Sequence, residues 1–333
     1  MSIGVKAKQL GGELREKAKE LGQKVEAKAL EAQGKLQDKL FDGKLGQVIG
    51  GNHSDFTDKV VSKLNLSAFK DAPPPPVLTR PVVMIPGLTM HASSYDPLAR
   101  HLAGEPKNGK EAVYVLADGK FHQGAVDGPV MTDAQVKATK MFQVQFRDVR
   151  GEPTEKAPQI AQAMKAIEQA TGAPQLDVVA HSAGCTDFQL YLDQRSPAEQ
   201  AAVKFDQVVF LGPVTQGTFM GNVGDAIGGV VGLDEAGTAL ELNSRLVKDL
   251  NTRWDAQRAQ VGGAVSIIGV SGAPTVDTTG VHTGDGFVTA RTLGRPNAEL
   301  VVLRGADPTP VAHLLEVGYS GVIAEVQARL ARD

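Results

Sequence analysis

LDVVAHSAGCTDFQL, residues 176–190, reads as a short buried strand, a sharp turn and the start of a helix. Asp177-Val178-Val179-Ala180 is mostly β-branched and apolar, as befits a strand covered on both faces. Ala180, Ala183 and Gly184 then crowd small residues around Ser182. A serine at a strand-to-helix turn is held in a strained backbone conformation, and the close packing of helix on strand leaves room only for small side chains at 180 and 184. That turn exposes the Ser182 hydroxyl next to backbone N–H groups able to receive negative charge. The pattern is G-x-S-x-G with alanine in the first place. Five residues alone would equally describe a serine in an ordinary βα turn, so the weight rests on what surrounds them.

The chain has 333 residues, 42% of them hydrophobic, enough for one large core and an appendage. A net charge of −3 gives no sign of a nucleic-acid partner. Cys185 is the single cysteine, which excludes an intramolecular disulfide and a thiolate metal cluster. Its place just past the turn suits a small core residue. The start of the chain lacks the apolar core of about 7–15 residues of a signal peptide, so a cytoplasmic location is expected, with leaderless export as the alternative. No run of about 18 apolar residues suggests a membrane span.

Residues 1–72 differ from the rest. Leu14, Ala18, Leu21, Val25, Ala29, Ala32, Leu36 and Leu40 form a thin apolar stripe at helical spacing. Gly11, Gly12, Gly22 and Gly34 weaken that helix, so it needs a surface to lie against. The rest of the chain, a second copy, a partner protein and a lipid surface all qualify, and a solvated, fraying helix is the plain alternative. Phe56, Val60, Val61 and Leu64 suggest a second short helix. Pro73-Pro74-Pro75-Pro76 is a stiff, extended spacer and marks a boundary.

Beyond it, residues 77–333 alternate strands and helices. Strands are expected at 82–85, 112–116, 141–146, 177–180, 205–211, 265–270 and 298–303. Helices are expected at 95–102, 158–171, after Ser182, at 240–258 and within 311–330, while 120–135 reads as an irregular insertion. This alternation predicts an α/β fold with a mostly parallel sheet, whose site lies at the carboxyl ends of the strands.

The motifs VVMIPGL, LDVVAHSAG, VVFLGPVTQGT, GDGFVTA and AHLLEV, spread over about residues 80–318, resemble those of α/β-hydrolases of the bacterial lipase and esterase kind. The AHSAG turn is similar to that of small bacterial lipases that also carry alanine first. The resemblance implies an α/β-hydrolase fold, here in a reduced version because no strands are evident before residue 77. It implies a serine ester hydrolase, lipase or carboxylesterase, that needs no cofactor, with Ser182 as nucleophile.

The resemblance places the general base after the last strand, where His313 is the only histidine; His282 is the alternative. The acid matches Asp285 in the Asp-Gly-x-Val turn, with Asp277 and Asp307 as competitors. The oxyanion hole falls to the backbone N–H groups of Leu88 and Ala183. Many relatives have His-Gly before the first of these, where this chain has Pro86-Gly87. His91 is placed either at the acyl pocket or at the surface. Residues 214–258 are longer than a crossover requires, and in lipases of this kind such a segment forms a cap. Its glycines and the apolar Phe219, Met220, Ile227, Val230 and Val231 suit a water-insoluble acyl substrate. The alternatives are an acyltransferase with the same three side chains, and a passive scaffold that docks on lipid or a partner through residues 1–72.

Overall fold

The computed structural model describes residues 67–218, 238–241, 244–277, 280–285, 287–305, 313 and 316–332. Ten strands occur among them. They are β1 (Val82–Ile85), β2 (Val113–Leu116), β3 (Phe121–Gln123), β4 (Met141–Gln145), β5 (Gln175–His181), β6 (Lys204–Leu211), β7 (Val265–Ser271), β8 (Ala273–Asp277), β9 (Gly280–Gly284) and β10 (Glu299–Arg304). Eight of them form one sheet in the order β10-β7-β6-β5-β1-β4-β2-β3, and β8 and β9 form a separate hairpin. Every neighbouring pair in the large sheet is parallel except β2 and β3.

The mostly parallel sheet is the one the alternation predicted, with one strand more than the seven expected. Residues 120–135, expected to be irregular, supply the antiparallel edge strand β3 and the short helix α2 (Asp133–Lys137). β3 has three residues and no apolar alternation, so its sequence carries little strand signal.

Helices cover both faces. α1 (Asp96–Leu102), α3 (Pro153–Thr171), α4 (Ala183–Gln194), α5 (Pro197–Ala202), α6 (Arg245–Thr252), α7 (Trp254–Arg258) and α8 (Ser320–Leu330) complete the set used below. α3 starts five residues before the expected Pro158. Pro153 already occupies its first turn, where a missing N–H costs nothing, and Pro158 is carried inside the helix. Gly172, at φ 68°, ends it.

Alternation along the strands divides the core. Val83, Ile85, Phe142, Val178, Ala180, Val208, Phe210 and Ile267 face α3 and α4. Val82, Met84, Met141, Val179, Val209, Leu211 and Ile268 face α1 and α8. Because both faces are covered, β1 is apolar throughout, and β4 is buried along its whole length although it carries Gln143 and Gln145. Phe188 of α4 meets Phe205 and Phe210 of β6 edge-on, with ring centroids 5.2 and 6.3 Å apart, and so clamps the helix after Ser182 to the sheet.

The expected helix at 240–258 is two short ones. Val247, Leu250 and Trp254 are buried, and α6 and α7 lie against α4 as part of the helical layer. The apolar residues 219–233 named above lie outside the described residues. The segment that contains them leaves and returns at one place, because Thr218 N–H donates to Leu240 C=O at 3.0 Å.

The four prolines do not stand free of the body. Pro73 C=O accepts from Gln327 of α8 at 2.8 Å, and Pro76 C=O accepts from Asn108 at 2.9 Å. Ala68 is fully buried, and Arg304 N–H donates to Ser67 Oγ at 2.7 Å. Among the described residues, contacts with the body are thus already present at Ser67 and Ala68, before the proline run. The amphipathic stretch at 5–41 and the second helix at 56–64 lie outside the described residues.

Candidate active site

Ser182 stands between β5 and α4 with φ 54° and ψ −123°, a conformation that residues other than glycine rarely adopt. The strain is held by backbone packing. A β-carbon at Gly184 would lie 2.5 Å from Pro86 C=O, and one at Gly87 would lie 2.9 Å from Ser182 Cβ. Glycine is therefore needed at both places, where the loop after β1 presses on the turn after β5. Ser182 N–H donates to Leu211 C=O at 2.9 Å, which fixes the turn to β6 as well.

The structure brings Ser182, His313 and Asp285 together. Ser182 Oγ lies 2.6 Å from His313 Nε2, and His313 Nδ1 lies 2.7 Å from Asp285 Oδ2. The other carboxylate oxygen, Oδ1, accepts from Phe287 N–H at 2.9 Å and Val288 N–H at 2.7 Å. These bonds make Asp285 the head of its own turn, and the backbone so folded also accepts His313 N–H at Asp285 C=O, 3.1 Å away. Phe287 stacks on the imidazole with ring centroids 5.0 Å apart, and Thr218 Oγ1 donates to Phe287 C=O at 2.9 Å. The base of the 219–237 segment is thus tied to a residue that touches His313.

The competing residues sit elsewhere. Asp277 and His282 fall on β8 and β9, the separate hairpin, and His282 Nε2 lies 3.2 Å from Arg291 Nη1. Asp307 lies outside the described residues. His91 is exposed, 3.4 Å from Gln145 Nε2.

The loop after β1 carries Leu88, which is partly buried against the core. Its neighbour Thr89 adopts φ 62°, and Thr89 N–H donates to Val149 C=O at 2.9 Å. Neither Leu88 N–H nor Ala183 N–H donates to a loop or strand carbonyl among the described residues.

Two further titratable groups lie beneath the three side chains. His181 is fully buried, with Nε2 2.9 Å from His313 C=O and Nδ1 3.1 Å from Met90 Sδ. Burial, and secondarily His313, pushes its imidazole well below the ordinary 6.5 and keeps it neutral. Glu316 is also fully buried, and neither carboxyl oxygen has a hydrogen-bond partner among the described residues. A β-carbon at Gly212 would collide with Glu316 Oε2 and lie 3.1 Å from Asp285 Oδ2, so the two carboxyls converge on one spot. Burial first, and Asp285 second, raises Glu316 well above the ordinary 4.5. Glu316 Oε2 is 3.8 Å from His181 Nε2, but with both groups neutral this contact is not an ion pair. His181, His313 and Glu316 have ligand atoms within 4.8 Å of one another, as a metal site would. The hydrogen bonds of His313 to Ser182 and Asp285 already use both of its ring nitrogens.

Sequence reasoning passed over His181 and Glu316. The one available signal for Glu316 was a carboxyl in the otherwise apolar run Ala312-His313-Leu314-Leu315-Glu316-Val317.

Residues 78–221 match the family described as alpha/beta hydrolase of unknown function (DUF915). No curated protein matches the chain. Among solved structures, the product of gene lin2722 of Listeria innocua is similar with a TM-score of 0.51 and 18% identity, over 76% of this chain and 94% of its own. Phospholipase PlaB from Legionella pneumophila is similar with a TM-score of 0.50 and 16% identity, over 76% of this chain and 60% of its own. At these identities the likeness is one of fold.

Proposed function

We propose, for a chain that belongs to the α/β-hydrolase superfamily, the activity of a serine ester hydrolase that cleaves carboxylic esters of lipid-like acids. The observation that carries this reading is the unbroken run of hydrogen bonds from Ser182 through His313 to Asp285. Ser182 Oγ attacks the ester carbonyl carbon while His313 Nε2 takes its proton. Asp285 holds Nδ1–H, fixes the tautomer and stabilises the imidazolium. The N–H groups of Leu88 and Ala183 receive the tetrahedral oxyanion. Collapse breaks the bond to the alcohol oxygen, which leaves with the proton from His313. A water, deprotonated by the same imidazole, then attacks the acyl-enzyme and restores Ser182.

A lipid-like acyl group is favoured by the apolar, glycine-rich composition of residues 214–233, tied at Thr218 to the residue that stacks on His313. The stripe at residues 5–41 serves to bring the enzyme to a lipid surface or a protein partner. Among the described residues no helix is long and apolar enough to cross a membrane.

The test uses p-nitrophenyl esters from acetyl to palmitoyl with wild type and Ser182→Ala. The wild type turns over with a preference for longer chains, and the variant loses activity on the order of 10⁴-fold or more. A fluorophosphonate labels the wild type at Ser182. No turnover and no labelling would sink the proposal, and an acyl product on an added alcohol in place of free acid would make the enzyme a transferase.

A further inference from the structure

The steps above leave one buried ion pair unused. Lys156 of α3 and Asp187 of α4 are both 1% exposed, with Nζ 3.9 Å from Oδ2. Neither Asp187 oxygen has a hydrogen-bond partner among the described residues. A pair this poorly bonded is a weak source of stability, because two apolar side chains of similar volume would fill the space without desolvating charge. What the ammonium holds explains it better. Lys156 Nζ donates to Val149 C=O at 3.0 Å, and that carbonyl also receives Thr89 N–H at 2.9 Å. Thr89, at φ 62°, is the strained residue directly after Leu88. Asp187 sits on the helix whose first residue is Ala183.

Through the Val149 carbonyl the pair therefore reaches the segment that carries Leu88, and through Asp187 the helix that starts at Ala183. We propose that Lys156 and Asp187 are positioning residues that fix the Val149 carbonyl against the helix after Ser182, and so set the spacing between the Leu88 and Ala183 N–H groups. The proposal rests on the serine-hydrolase reading. Lys156 also feels Asp148 and Glu155 and lies over the Phe146 ring, 5.0 Å from its centroid. Those neighbours hold the ammonium in place but touch neither donor segment's helix. Asp187 alone links it to α4.

The double variant K156M/D187L removes both charges and keeps the volume. Its kcat on a soluble ester falls about 10- to 100-fold while KM changes less than about threefold, because donors to the oxyanion act on the transition state. Its affinity for phenylboronic acid, whose tetrahedral adduct on Ser182 carries the oxyanion, falls in parallel. Its Tm stays at or above that of the wild type. Wild-type kcat and boronate affinity in a folded double variant overturn the proposal. If the double variant fails to fold, Asp187→Asn keeps the shape and leaves the ammonium without its counter-charge. There kcat falls about tenfold at constant KM, and an unchanged kcat overturns the proposal in the same way. Ser182→Ala separates the two levels. If it abolishes activity while the pair variants match wild type, only the positioning role fails; if it retains full activity, both fail.

Discussion

Asp285 and Glu316 are two carboxyls facing one spot, and they are bonded differently. Asp285 accepts two backbone N–H bonds and one from His313, whereas Glu316 has no bonded partner among the described residues. Burial first, and the neighbouring Asp285 second, favour the protonated form of Glu316. Glu316→Gln therefore leaves kcat within about threefold of wild type, whereas Asp285→Asn presents an amide N–H to His313 Nδ1 and lowers kcat by on the order of 10³- to 10⁴-fold. Steady-state kinetics on one soluble ester compares them, and equal losses would mean that Glu316 is ionised and takes part. The sign of the pH effect follows from the raised acid. The folded chain keeps a proton on Glu316 that the unfolded chain releases above its ordinary 4.5, so this stability is fully present below that pH and is lost as pH rises. Glu316→Gln has no such loss, and its stability advantage in urea titrations grows from pH 4.5 upward. At this scale the sequence showed Ser182, Asp285 and His313 because motif and chain order mark them. It could not show Glu316 as a neutral acid, because that state arises only where β6, the Asp285 turn and the segment after His313 meet.

At the scale of elements, long and strongly patterned pieces were legible and short ones were not. The seven strands expected from apolar runs all form, within one or two residues of their expected ends. β3 and the β8–β9 hairpin were missed because β3 has three residues without apolar alternation, and Ala273–Asp277 and Gly280–Gly284 mix proline, glycine and polar residues, so none of them carries a strong strand signal of its own. The hairpin also removes Asp277 and His282 from competition, which no local pattern could have done. The start of α3 went wrong because two prolines compete for the first turn, and spacing does not say which one wins. The element that matters most for the site is α4, and its hold on the sheet is aromatic. Phe188→Ala leaves a cavity between α4 and β6 and costs about 3–5 kcal/mol, measured as a shift of the urea midpoint. A cost below about 1 kcal/mol would show that α4 is held by its backbone packing at Gly184 instead.

For the whole molecule, the boundary is the lesson. A proline run reads as a spacer, yet Ala68, Ser67, Pro73 and Pro76 are bonded to or buried in the body. A chain that starts at residue 67 melts at the wild-type temperature and keeps its activity on soluble esters. One that starts at residue 77 loses these contacts and melts several degrees lower, about 2–4 °C for each kcal/mol in a domain of this size. Differential scanning calorimetry decides; equal melting would make the proline run a true spacer. If the chain from residue 67 also loses turnover of emulsified esters, the segment before it serves in reaching the interface.

The hydrogen bond from Thr218 to Leu240 makes the intervening segment a cassette. Its two ends are already joined, so a change of its length costs only about 0.6 kcal/mol per doubling in loop-closure entropy. Swapping residues 219–237 for a stretch of different length, with the Thr218–Leu240 bond kept, should move the preferred acyl length. In such an arrangement substrate range can drift in evolution without touching the residues that make and break bonds.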